Sequence, residues 1–115
     1  MSTISTHVLD TALGRPADGI HVTLDRLGEG GDQATRLGSG HTDADGRLRD
    51  FIAPGVALGA GVFRLRFDTG EYFARTKRES FYPEVVVVFT VRSSDEHYHV
   101  PVLLSPFGYS TYRGS

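Results

Sequence analysis

The segment IHVTLDRL, residues 20–27, alternates apolar and polar side chains with a period of two. Ile20, Val22 and Leu24 fall on one side and His21, Thr23 and Asp25 on the other, with Leu27 following out of step. That is the period of a strand with one covered face. It recurs in GVFRLRFD, where Phe63, Leu65 and Phe67 oppose Val62, Arg64 and Arg66. Apolar residues spaced in this way cannot share one stripe of a helix. They can be buried only by stacking the apolar side of a sheet on another layer.

The remaining segments agree. THVLD near the start reads as a strand running into the turn signal Gly14-Arg15-Pro16, and residues 34–41 as another strand. EVVVVFTV, residues 84–91, is too apolar to spare a solvent face, which predicts a central strand or an interface strand. HYHVPVLLS is the last strand, with Pro101 implying an edge position or a bulge. Gly28-Glu29-Gly30-Gly31-Asp32 has the composition of a loop. Asp43-Ala44-Asp45-Gly46 reads as a turn with Gly46 at a positive φ. A single short helix is predicted in TGEYFARTKRES, residues 69–80, with Thr69 as N-cap and Tyr72, Phe73 and Thr76 as a partial apolar stripe. Seven or eight short strands and one small helix make an all-β antiparallel sandwich the expected fold. At 115 residues, without internal repeat or linker, residues 1–115 are expected to form one domain.

Charge narrows the partners. A formal net charge of -2 offers no field for nucleic acid or an anionic membrane. The basic cluster Arg64, Arg66, Arg75, Lys77 and Arg78 is interrupted by Asp68, Glu71 and Glu79. With no cysteine there is no disulfide, thiol nucleophile or thiolate metal site, and a reducing compartment is compatible. No apolar stretch has the length of a bilayer span, and MSTISTHVLD lacks the basic and apolar regions of a secretory signal. The expectation is a soluble cytoplasmic protein.

Five histidines are the main source of chemistry. His21, on a polar strand face, and His41, before a turn, read as solvated. His7 shares a strand register with Ser5 and Leu9, and His97 and His99, two apart, share a face. A histidine within a strand is more often a hydrogen-bonded structural group than a catalyst. His97 and His99 have the spacing to ligate zinc with His7 or Asp10, but the local sequence supplies no third ligand. There is no G-x-S-x-G nucleophile elbow, and GEGGD lacks the Lys-Ser/Thr of a phosphate loop. Arg47, in the turn Asp45-Gly46-Arg47, has a donor fork suited to a planar acidic substrate, although alone it reads as an exposed turn arginine. Finally, HYHVPVLLSPFGYSTYRGS, residues 97–115, is apolar and aromatic where termini are usually polar and frayed. Such a terminus has to be covered.

Three stretches, THVLDTALGRPADGIHVTL, TDADGRL and HYHVPVLLSPFGYSTYRGS, resemble the transthyretin-like family over essentially the whole chain. More narrowly they resemble its enzymatic branch, the 5-hydroxyisourate hydrolases, marked by the closing Tyr112-Arg113-Gly114-Ser115. The resemblance implies a seven- to eight-stranded antiparallel β-sandwich with one short helix. It also implies a homotetramer, a dimer of dimers around a central channel, with the C-terminal strand at a subunit interface. His7, Arg47 and His99 match the catalytic residues, the carriers having lysine and threonine at the two histidine positions. Substrate binding is implied for His7, Arg47, Tyr112, Arg113, Gly114 and Ser115, while His97 lies outside the essential set.

The implied reaction is attack of water on the ring amide carbonyl of 5-hydroxyisourate, the labile product of urate oxidation. It yields 2-oxo-4-hydroxy-4-carboxy-5-ureidoimidazoline and needs neither metal nor organic cofactor. His7 and His99 would form the acid/base pair, Arg47 would orient the substrate and stabilise charge, and Tyr112 and Ser115 would anchor its polar edges. Arg113 would anchor them too or hold the terminus in place. Three other readings remain at this level: a non-catalytic carrier of an aromatic ligand, an Ig-like interaction module, and a metal site through His7, His97 and His99.

Overall fold

Two sheets account for the alternation, and the computed structural model describes residues 3–28, 33–92 and 96–114. In chain order the elements are β1 (Thr3–Asp10), β2 (Arg15–Pro16), β3 (His21–Leu27), β4 (Ala34–His41) and β5 (Arg47–Leu48). There follow β6 (Gly61–Phe67), α1 (Thr69–Arg75), β7 (Val85–Val91), β8 (His97–Ser105) and β9 (Gly108–Thr111). One sheet runs β2-β1-β8-β9, with β5 also pairing β1, and the other runs β4-β3-β6-β7. Val22, Leu24, Phe63, Leu65 and Phe67 of the second sheet bury themselves against Ile4, Val8, Val100, Val102 and Leu104 of the first. The all-β sandwich with one short helix is the fold expected. Among the described residues no helix is long and apolar enough to cross a membrane.

Neighbouring strands are antiparallel except for β1 and β8, which run parallel from Thr3↔His97 to Asp10↔Leu104. This pairing joins the two ends of the chain along the whole of β1. It also decides which side chains of β1 and β8 share a face, which matters below.

Several local expectations are corrected. Of the two readings of the valine-rich run, a central or an interface strand, the central one falls, because β7 is an edge strand: Val85 and Val91 enter the core while Val88 is 55% exposed. Pro101 is not on an edge, since β8 lies between β1 and β9. The β8–β9 ladder instead ends at Val102↔Thr111, and the C-terminal segment touches β8 again at the bridge His99↔Gly114. The residue without an N–H falls in that gap, and its carbonyl still accepts a 2.8 Å bond from the Thr111 hydroxyl. The polar side of β3 is not solvated throughout either, His21 alone of its polar set being partly exposed. Thr23 and Asp25 are buried, the latter because Arg36 and Arg64 close over its carboxylate at 2.7 and 2.8 Å.

The helix stops at Arg75, short of the predicted residue 80, because Lys77 adopts a φ of 58°. Thr69 is its buried first residue rather than the cap, a position that falls to Asp68 without a side-chain capping bond. Tyr72 and Phe73 bury as the stripe predicted. Beyond the helix, Arg78 reaches back to Asp10, and Tyr72 donates to the same carboxylate at 2.7 Å. This clamp ties the helix to the end of β1. Residues 29–32 of the predicted loop lie outside the described residues.

Candidate active site

In β1 the even positions Ile4, Thr6, Val8 and Asp10 are buried, so Thr3, Ser5 and His7 occupy the opposite, outer face of the sheet. In β8 the even positions Tyr98, Val100, Val102 and Leu104 belong to the core, which puts His97 and His99 on that same outer face. The parallel register then sets Thr3 beside His97 and Ser5 beside His99. On the other side of β1, His7 pairs directly with Arg47 of β5. Three distant stretches of sequence therefore deliver His7, His99 and Arg47 to one surface.

Local chemistry places Arg47. The Asp43 carboxylate accepts the Asp45 N–H at 2.9 Å and the Arg47 N–H at 3.0 Å, which closes the turn as the sequence predicts. The Arg47 amide, with the Asp45 amide and the charges of Arg49 and Arg47, holds the Asp43 carboxyl below its ordinary range against the cost of desolvation. Gly46 has a φ of 75°, and a Cβ there would lie 2.3 Å from the Val8 carbonyl oxygen. Only glycine lets this turn lie against β1, where the Val8 N–H donates to the Gly46 carbonyl at 2.8 Å.

The two histidines are held differently. His7 Nε2 lies 2.9 Å from the Asp45 carbonyl oxygen. A carbonyl can only accept, so Nε2 carries the proton and, in the neutral ring, Nδ1 keeps the free lone pair. His99 Nδ1 lies 2.8 Å from the Ser5 hydroxyl, which leaves Nε2 for a substrate. Burial, then the positive charges of His97, His7, Arg47 and Arg49, hold His99 below its ordinary pKa. His99 is consequently a neutral imidazole at pH 7, able to accept a proton.

The C-terminal tetrapeptide divides. Gly114 donates its N–H to the His99 carbonyl at 2.8 Å. A Cβ on Gly114 would sit 2.7 Å from His99 Cδ2 and 3.2 Å from Pro101 Cγ. Gly114→Ala should therefore push the His99 ring aside and lower kcat/KM by roughly ten- to a hundredfold with little loss of stability. Steady-state kinetics beside a melting curve would check this, and an unchanged rate would exclude that contact as a constraint. Tyr112 is exposed. Arg113 turns to the other side, with its guanidinium 4.6 Å over the Tyr98 ring and 3.6 Å from Glu96. Within this chain Arg113 is thus kept away from His99. Ser115 lies outside the described residues.

A cavity of about 750 Å³ opens along the first half of β1. Its polar wall includes Ser5, Arg47, Arg49 and His99, and its apolar wall includes Ile52, Val56 and Leu58. His7 stands beside Arg47 rather than in the wall. The sequence reading missed Arg49 and Ser5. Ser5 shares the two-residue spacing of His7, a signal that was present but indistinguishable from an ordinary strand serine. Asp10, weighed there as a third metal ligand, faces the core and is engaged by Arg78 and Tyr72.

A family profile described as the HIUase/Transthyretin family matches residues 4–114. The 5-hydroxyisourate hydrolase of Salmonella typhimurium is 46% identical over 112 residues, covering 97% of this chain and 80% of that protein. Among solved structures, Klebsiella pneumoniae 5-hydroxyisourate hydrolase superposes with a TM-score of 0.85 at 40% identity over 100% of both chains. Sea bream transthyretin in complex with thyroxine superposes with a TM-score of 0.88 at 30% identity, over 96% of this chain and 93% of that one. With the profile spanning nearly the whole chain and the sandwich shared throughout, this chain belongs to the HIUase/Transthyretin family.

Proposed function

We propose that the protein hydrolyses 5-hydroxyisourate to 2-oxo-4-hydroxy-4-carboxy-5-ureidoimidazoline, in the breakdown of purines by way of urate. The observation that carries this reading is the gathering on one sheet face of Arg47 and two imidazoles, each with one nitrogen already engaged. Such an arrangement suits water-dependent opening of a cyclic amide. His99, neutral near pH 7, takes a proton from water through Nε2 as the oxygen attacks the ring carbonyl. The Arg47 guanidinium stabilises the charge that develops on the carbonyl oxygen. His7, protonated at Nδ1 from solvent, gives that proton to the leaving ring nitrogen as the C–N bond opens, and His99 afterwards returns the water proton to solvent. The role of Nε2–H in the His7–Asp45 bond is to keep the ring turned so that Nδ1 faces the substrate. Tyr112, Gly114 and Ser115 would border the bound ring, and Arg113 would hold the terminal segment against β8.

The same reading takes the active form to be a homotetramer, a dimer of dimers around a channel. β7 and β9 are edge strands of their sheets and carry exposed Val88 and Tyr109, and Phe107 and Tyr112 flank β9. Apolar edges of this kind favour pairing with another copy. Sedimentation showing a stable and fully active monomer would remove the shared channel. A cytoplasmic setting suits a chain without cysteine, and cell fractionation would test it.

The reading as a whole is tested with fresh 5-hydroxyisourate, made in the cuvette from urate and urate oxidase. Its ultraviolet signal should decay faster when the protein is present. No acceleration by folded, assembled protein would remove the hydrolase reading.

A further inference from the structure

We propose that Ser5 and His97 are positioning residues that act through His99: with Thr3 they form one reversible hydrogen-bond chain that decides which nitrogen of His99 carries its proton. The proposal rests on the reading of His99 as the base, and on a geometry that no role so far has used. The Ser5 hydroxyl lies 2.8 Å from His99 Nδ1 and 2.9 Å from His97 Nε2. The other nitrogen of His97, Nδ1, lies 2.5 Å from the Thr3 hydroxyl. Four side chains on the outer face of one parallel strand pair are thus linked in a line.

A hydroxyl has one proton, so Ser5 can donate to one of the two rings and must accept from the other. The tautomers of His97 and His99 are therefore not independent. In one direction His99 Nδ1–H donates to Ser5, Ser5 donates to His97 Nε2, and His97 Nδ1–H donates to Thr3. This state leaves the Nε2 lone pair of His99 free for the water proton. In the other direction Thr3 donates to His97 Nδ1, His97 Nε2–H donates to Ser5, and Ser5 donates to His99 Nδ1. His99 then presents Nε2–H to the substrate.

The chain also gives the captured proton's charge somewhere to go. When His99 Nε2 takes a proton, the ring becomes an imidazolium among charges of its own sign. These are His7 from β1 and Arg47 and Arg49 from β5 and the segment after it, with Asp50 also lining the cavity, while His97 from β8 is neutral in both directions of the chain. A shift of the His99 Nδ1 proton to Ser5, and of the Ser5 proton to His97 Nε2, restores a neutral His99. The positive charge then sits on His97, which is exposed while His99 is half-buried. No proton is gained or lost in the shift. Desolvation opposes charge on the half-buried His99 ring.

The first measurement is the tautomer of His99 in the free protein, by long-range proton–nitrogen NMR of the imidazoles. Native His99 should be the Nδ1–H form, and Ser5→Ala should move it toward Nε2–H. Kinetics form the second arm. Partners that orient a working histidine are worth on the order of ten- to a hundredfold, so Ser5→Ala should lose roughly that factor in kcat with KM little changed. Ser5→Thr, which keeps the hydroxyl, should recover to within about threefold of native. His97→Gln should lower kcat and move the acid limb of the rate profile to higher pH, because a like charge beside His99 is gone. A merely structural role would lower the rate without moving that limb. A His99 tautomer unaffected by Ser5→Ala, or an unmoved kcat and acid limb in His97→Gln, would overturn the proposal. If the native protein does not act on 5-hydroxyisourate, the tautomer measurement alone still decides whether the chain exists.

Discussion

His99→Ala should lower kcat/KM for 5-hydroxyisourate by roughly a hundred- to ten-thousandfold, the usual worth of a positioned general base, while the fold survives. The ring lies on the outer face of its sheet, half-buried, bonded to the Ser5 hydroxyl, stacked on the His97 ring and beside the Gly114 backbone. Its removal takes nothing from the core between the sheets. The pH dependence of the native protein carries the same information with a definite sign. His99 must be neutral to accept the water proton, and burial with the surrounding positive charges lowers its pKa from 6.5. The acid limb of the profile should therefore lie below that value. A kcat/KM profile whose acid limb is centred above 6.5 would contradict the assignment. So would a folded His99→Ala variant of native activity.

Asp10→Ala should be the most destabilising of the substitutions considered, by about 3–5 kcal/mol, which corresponds to roughly 10–20 °C in Tm for a domain of this size. Asp10 is buried to 1% exposure, and four donors converge on it: Arg78 through two nitrogens, the Tyr72 hydroxyl at 2.7 Å, and the Leu13 N–H at 3.0 Å. Removing the carboxylate leaves a cation and a buried hydroxyl without their partner, a larger loss than the pair's own net contribution. Burial alone would raise the Asp10 carboxyl, but the bonds from Arg78, Tyr72 and Leu13 outweigh it and hold the group below 3.8. Stability from this group is accordingly present above the ordinary carboxylate pKa and is lost as the pH falls through the lower folded value. Asp25, under Arg36 and Arg64, is lowered in the same sense and adds to that acid transition. Thermal melts of native protein and Asp10→Ala at neutral and acid pH would check both statements. Equal melting temperatures at pH 7 would show that the clamp contributes little.

What a single pass along the chain determined was local. Alternation in residues 20–27 and 61–67 identified Val22, Leu24, Phe63, Leu65 and Phe67 as core, because the period of two is a property of the strand itself. The turn before Arg47 was legible because its side-chain and glycine requirements lie within a few residues. The whole-chain family likeness was legible from three motifs, and the comparisons bear it out. What only the tertiary structure decided was adjacency. Nothing near Ser5 announces that the parallel partner of β1 comes from the far end of the chain, or that this register makes one hydroxyl serve two imidazoles. The edge position of β7, the inner position of Pro101 and the burial of Asp25 escaped for the same reason. Each depends on which strand lies alongside, and strand neighbours are chosen by the free energy of the whole sandwich rather than by residues nearby in sequence. The same long-range choice of neighbours brings His7, Arg47 and His99 to one face.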